Sequence, residues 1–168
     1  MGRVICKIAE TETERQGHFA VRQAVFVDEQ GLFTDSDIDH FDRAAVPLIA
    51  VDRDSGAIVG AVRCYETEPG VWYGGRLAVL KAARHDTSAV GPRLCKLAEK
   101  VVIERGCHRF LAYIQLQNVR FFERLGWRCV GEPVEHFGQP HQLMQASLAA
   151  AKKIRKIPEP QAVEPMYA

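Results

Sequence analysis

Apolar and polar residues follow each other with a changing period along this 168-residue chain, and the changes of period divide it into elements. From Arg3 to Ala9 the two kinds alternate singly, which predicts a strand. From Thr13 to Gln30 the spacing becomes helical: Phe19, Arg22 and Phe26, and Val21 and Val25, recur on one face, and Gly31 closes the segment. An acidic loop, Asp35–Asp42, follows. Val46–Val51 and Ala57–Tyr65 are β-rich runs joined by Asp54-Ser55-Gly56, a tripeptide suited to a hairpin. Val71–Leu80, after the turn at Pro69-Gly70, is a third run of this meander. Leu94, Leu97, Ala98, Val101 and Val102 mark one face of a second helix, Arg93, Lys96, Glu99, Lys100 and Glu104 the other, and Gly106 suits its C-terminal turn. Phe110–Gln115 reads as a buried strand and Asn118–Leu125 as a short helix stopped by Gly126. Trp127–Val130 and Leu143–Leu148 read as closing strands, separated by a turn-rich piece, Phe137–Pro140. The tail from Ala149 starts helically, is broken by Pro158, Pro160 and Pro165, and is expected to be loosely held or to lie on a partner.

The order strand, helix, antiparallel meander, helix, strand, helix, two strands predicts an α+β fold: a mixed, mostly antiparallel central sheet flanked by helices. No repeat or second domain is visible, so residues 1–148 are expected to form a single domain with residues 149–168 as a C-terminal tail. Such a length allows about 70% of the unfolded surface to be buried, and the 47% apolar content excludes a disordered chain.

Charge removes several functions. Lys and Arg total 22 against 21 Asp and Glu, a net charge of +1, which gives no broad field for nucleic acid or an anionic membrane. The five cysteines, Cys6, Cys64, Cys95, Cys107 and Cys129, are odd in number and lack metal-ligand spacing, as expected of reduced thiols in a cytoplasmic protein. Met1–Cys6 lacks a long apolar stretch, so no signal peptide is expected, and no run approaches the roughly 18 apolar residues of a membrane span. Asp35, Asp37 and Asp39 match the first positions of a calcium loop, but His40 stands where the template needs Gly and Val46 where it needs Glu. A solvated acidic loop that attracts a cationic amine is the reading favoured here. Cys95, with no base signature nearby, is not favoured as a nucleophile.

The chemistry points to the start of the second helix. A helix start offers unpaired N–H groups and the positive end of the dipole, so it binds anions. Ala89 and Gly91 lack bulk, Pro92 in the first turn gives up no needed N–H, and Arg84, His85 and Arg93 add positive charge. Val90 completes the turn. The site is phosphate-sized.

At this point the chain resembles the GNAT superfamily of N-acetyltransferases, whose phosphate motif is a strand, then basic-x-x-Gly-x-Gly/Ala, then a helix. The block Asn118-Val119-Arg120-Phe121-Phe122-Glu123-Arg124-Leu125-Gly126-Trp127 is similar to a second signature of the superfamily. Arg22-Gln23-Ala24-Val25-Phe26-Val27-Asp28-Glu29-Gln30 and Gly138-Gln139-Pro140-His141-Gln142-Leu143-Met144 resemble a smaller branch that includes the acyl-homoserine lactone synthases. The resemblance implies a bacterial origin, acetyl-CoA as co-substrate, an amine acceptor, direct attack in a ternary complex, no metal, and a homodimer as the common assembly. It also implies that backbone N–H groups of Leu77, Ala78 and Val79 polarise the thioester carbonyl. Arg84, Ala89, Val90, Gly91, Pro92 and Arg93 would then hold the diphosphate, and Asn118, Phe121 and Phe122 would lie along the cofactor arm.

Two positions depart from the pattern. Asp86 falls where the motif has Arg or Gln, with Arg84 two residues early, and Phe122 replaces the tyrosine that often protonates the leaving thiolate. Phenylalanine has no proton to give. Among candidate bases, Glu29 ranks first, ahead of His141, Glu66 and His40; Asn118 completes the catalytic set. Glu29 also reads as a helix-end carboxylate with a structural role, and His141 as a packing or capping residue. Tyr73 and Tyr113 are candidate proton donors or core residues. Gly17–His40, Glu66–Tyr73 and Phe137–His141 would build the acceptor pocket. An acyl-homoserine-lactone-synthase-like acyltransferase and a non-catalytic CoA-binding regulatory module stay open as alternatives.

Overall fold

The computed structural model describes residues 3–84, 87–136 and 138–148. They belong to two compact units, Met1–Tyr65 with Arg76–Ala98, and Glu66–Gly75 with Glu99–Ala168. Strand β1 is Val4–Ile8, β2 Val46–Asp52, β3 Ile58–Glu68, β4 Val71–Val79, β5 Arg109–Gln115, β6 Arg128–Cys129, β7 Val134–His136 and β8 Gln139–Gln145. The sheet order is β1-β2-β3-β4-β5-β8-β6, with β7 paired to β8. Among the described residues three α-helices, α1 Glu12–Arg22, α2 Val90–Glu104 and α3 Val119–Arg124, complete an α+β fold on a mostly antiparallel open sheet.

In the first unit a capping box starts α1. Glu14 N–H donates to Thr11 Oγ1 at 3.1 Å and Thr11 N–H to Glu14 Oε1 at 3.3 Å, so two otherwise orphaned donors are satisfied. The helix predicted to reach Gln30 is α-helical only to Arg22 and continues as a π-helix over Gln23–Glu29, where Gln30 N–H donates to Val25 O at 2.9 Å. Gly31, at φ +60°, ends it. β1 and β2 pair antiparallel from Val4↔Asp52 to Ile8↔Leu48, and β2 and β3 from Val46↔Cys64 to Val51↔Ile58. Alternation along β3 divides its faces. Ala61 packs with Val21, Val25, Phe26 and Ala78. On the other face, Gly60 lets α2 approach: a Cβ there would lie 2.7 Å from Val90 Cγ1 and 2.9 Å from Leu94 Cδ1.

In the second unit β4 runs parallel to β5 from Val71↔Arg109 to Tyr73↔Leu111, and β5 pairs antiparallel with β8 from Leu111↔Gln145 to Gln115↔His141. Trp127 anchors the core. Its indole N–H donates to Glu99 Oε1 at 3.0 Å, and its ring centroid lies 5.2 Å from that of Phe110 and 5.5 Å from that of Phe122.

The C-terminal strands depart from expectation. The last strand is Gln139–Gln145 rather than Leu143–Leu148, and β7 was not expected. Polar residues and Pro140 hide this hairpin, whose pairs Val134↔His141 and His136↔Gln139 are made by main-chain groups. The predicted Trp127–Val130 strand contracts to Arg128–Cys129. The tail from Ala149, together with His85, Asp86 and Phe137, lies outside the described residues.

Candidate functional site

The acidic loop is not a solvated magnet for amines. In the first unit Asp37 and Asp42 are withdrawn from solvent into a cluster with Arg22, Arg63 and Arg76, whose side chains are 0%, 0% and 3% exposed. Arg22 Nε donates to Asp37 Oδ2 at 2.6 Å, and its Nη1 and Nη2 clasp Asp42 at 2.7 and 2.9 Å. Arg63 holds Asp39 in a second fork at 2.7 and 2.8 Å and reaches Asp42 Oδ2 at 2.8 Å. Arg76 donates to the Asp37 carbonyl at 2.8 Å and to Asp39 Oδ2 at 3.2 Å. Three guanidiniums thus meet three carboxylates, which is how buried charge becomes tolerable.

Burial alone would raise the carboxyl pKa of Asp39 and Asp42. Hydrogen bonds and charge from Arg63 at Asp39, and from Arg22 at Asp42, outweigh it and hold both below the usual carboxylate range. For Arg76, burial and the neighbouring Arg63 charge lower the pKa to about 10. His18 joins this cluster as a neutral ring. Its Nδ1 lies 3.0 Å from Leu48 O and its Nε2 3.2 Å from Arg22 Nη1, so Nδ1 carries the proton and Nε2 accepts. Burial, with the Arg22 charge, lowers its pKa to about 4.

Arg76 has φ +55° in the middle of β4, a costly conformation for a residue with a Cβ. Its guanidinium is fixed by the Asp37 and Asp39 contacts above and lies 4.7 Å from the Phe33 ring centroid. The next residues, Leu77, Ala78 and Val79, are those expected to present N–H groups to a carbonyl. Ala78 is buried in the core, while Leu77 and Val79 are half-buried.

The π-helix ends at Glu29, and Arg84 grips both carboxylate oxygens of that residue while its Nε donates to Val79 O at 2.9 Å. The Arg84 hydrogen bonds keep Glu29 below the usual carboxylate range. Glu29 is therefore an engaged, ionised carboxylate. At the start of α2, Ala89 stands exposed at φ +50°, and the first helical bond is Arg93 N–H to Ala89 O at 3.0 Å. Val90 and Gly91 precede that bond, so their N–H groups have no helical acceptor, and Pro92 has no N–H. Gly91, Pro92 and Arg93 are half-buried.

In the second unit, Asn118 is half-buried just before α3, and Phe122 is buried with its ring 5.1 Å from that of Phe121. His141 is buried, with Nδ1 3.0 Å from Gln139 O; burial lowers its pKa and leaves the ring neutral at pH 7. Tyr73 and Tyr113 stack at 6.2 Å, and burial raises both phenols, Tyr73 to about 12. The sequence reading missed Arg63, Arg76 and His18. The available signal was an arginine inside each of two apolar strand runs, Val62-Arg63-Cys64 and Gly75-Arg76-Leu77.

Known proteins agree with this architecture. The model of the Acetyltransferase (GNAT) family matches residues 10–127. YjcF of Bacillus subtilis strain 168, named an uncharacterised N-acetyltransferase, is 30% identical over 125 residues, covering 74% of this chain and 86% of that protein. A crystal structure of a candidate N-acetyltransferase from Lactobacillus plantarum superposes with a TM-score of 0.78 at 25% identity, covering 88% of this chain and 99% of that one. The fold is also that of BjaI, described as a CoA-dependent acyl-homoserine lactone synthase, at a TM-score of 0.69 and 16% identity, covering 91% of this chain and 87% of that one. The chain belongs to the Acetyltransferase (GNAT) family.

Proposed function

We propose that this protein transfers an acetyl group from acetyl-CoA to the amine of a small molecule or protein by direct attack in a ternary complex. The neutral amine nitrogen bonds to the thioester carbon, the C–S bond breaks, the amine gives up a proton, and CoA leaves as its thiol. The observation that carries the reading is the start of α2: the amides of Val90 and Gly91 precede the first helical bond, Gly91 has no Cβ, and Arg93 is adjacent. Such a turn fits a diphosphate. Leu77–Val79 would supply the N–H that polarises the carbonyl, and one donor of that kind is worth on the order of 3 kcal/mol. Holding both reactants together contributes on the order of 7–11 kcal/mol, so catalysis does not require a tyrosine where Phe122 stands. Asn118, Phe121 and Phe122 are assigned to the cofactor arm by resemblance. BjaI was solved with isopentyl-CoA, which makes chain length a variable worth testing.

The test is thiol release with acetyl-CoA and branched or longer acyl-CoAs over an amine panel, beside calorimetry of CoA binding to wild type and Gly91→Glu. An acidic residue in the first turn suits the helix dipole, so the fold is expected to survive the change. Acetyl-CoA turnover in wild type and loss of CoA binding in the variant are expected. Wild-type CoA affinity in Gly91→Glu, or no heat with any CoA thioester, would overturn the site; preference for longer acyl-CoAs would replace acetyl by another acyl group.

A further inference from the structure

We propose that a cavity of about 180 Å³ between α1 and the segment leading into β2 binds a small carboxylate with an apolar body. A cavity of about 150 Å³ accommodates benzene, so there is room for a ring or a short chain. The walls include Phe19, Ala45 and Pro47, which suit the apolar part.

The polar lining offers donors and almost no acceptors. Asp42 is the one carboxylate in the lining, and it is already engaged: Arg22 holds Oδ1, while Oδ2 receives Arg22 Nη2, Arg63 Nη1 and Asp39 N–H. His18 points neither a charge nor an unengaged nitrogen into the space, because Leu48 O and Arg22 take its two nitrogens. Arg63 is matched by Asp39 and Asp42. Arg15 and Arg43 are left over. Both are exposed; Arg15 meets only Glu12 at 3.9 Å, too long for a hydrogen bond, and Arg43 has no ion pair or hydrogen bond among the described residues. Two exposed guanidiniums, one of them only loosely paired with Glu12, line the cavity beside an apolar wall and offer donors to a carboxylate. A cationic amine would meet two positive charges and a spent aspartate.

The inference does not depend on acyl transfer. Its test is calorimetry of the full chain with benzoate and with benzamide, repeated on Arg43→Gln, Arg15→Gln/Arg43→Gln and Gly91→Glu. Saturable benzoate binding is expected in wild type and Gly91→Glu. Benzamide should bind at least about tenfold more weakly, and each arginine removed should weaken benzoate by about tenfold. Equal affinity for the amide, unchanged affinity in the double variant, or absence of saturable binding would overturn the proposal. Loss of benzoate binding in Gly91→Glu would move the ligand to the start of α2 and overturn it equally. Both arginines are exposed, so their variants should keep the wild-type melting temperature.

Discussion

Arg22 shows how completely one side chain can be used. Its contacts with Asp37, Asp42 and His18 engage every nitrogen of the guanidinium. Removing one partner from such a cluster strands the others without water, at a cost of roughly 3–5 kcal/mol. His141 is proposed as the base instead. Burial holds the His141 imidazole neutral, with Nδ1 donating to Gln139 O, whereas both oxygens of Glu29 are gripped by Arg84. Protonation state therefore favours His141 as base. His141→Gln should lower kcat by about 10²-fold or more. Because burial holds its pKa below the ordinary histidine value, wild-type activity should persist as pH falls below 6.5 and be lost only on further acidification. A Glu29→Gln enzyme with the larger loss, or an unchanged His141→Gln enzyme, would reverse this ranking.

At the scale of elements, periodicity made α1, α2 and the β2–β4 meander legible because their buried faces repeat. It could not tell an α-helix from a π-helix over Gln23–Glu29, since one widened turn leaves the apolar pattern almost unchanged. The β7–β8 hairpin escaped because it is held by backbone pairs on a polar edge. The arginine cluster was half legible: Arg22 stood in a recognisable block, but Arg63 and Asp39 are 24 residues apart and Arg76 and Asp37 39 apart, and nothing local pairs them. Gly60 is an element-level contact with a measurable consequence. A methyl group there would collide with Val90, Leu94 and, at 3.2 Å, Ala50. Gly60→Ala should destabilise by about 1–3 kcal/mol in urea melts and weaken CoA binding, because Val90 heads the turn proposed to hold the diphosphate. A neutral substitution would show that α2 does not rest on this strand.

Over the whole molecule the buried ionisable groups set a pH window of stability. The folded pKa of His18 is about 4, against an ordinary value of 6.5, so the unfolded chain binds a proton first as pH falls between those values. Stability is full above 6.5 and declines toward 4, by about 3 kcal/mol for this one group. Asp39 and Asp42 have depressed folded pKa values; what they contribute persists above the ordinary carboxylate pKa and is lost in a second, more acidic step. The alkaline side has the opposite sign. Burial raises Tyr73 and Cys107 to about 12, so their stabilisation is present below the unfolded values and fades as pH rises toward the folded ones. Urea midpoints should therefore be flat from about pH 6.5 to 8.5 and fall on both sides. His18→Gln should remove the slope between pH 6.5 and 4 while leaving the steeper acid step. A wild-type midpoint that stays constant down to pH 4.5 would mean that His18 is not held neutral against Arg22, and the arginine–aspartate cluster would then need a different arrangement around that ring.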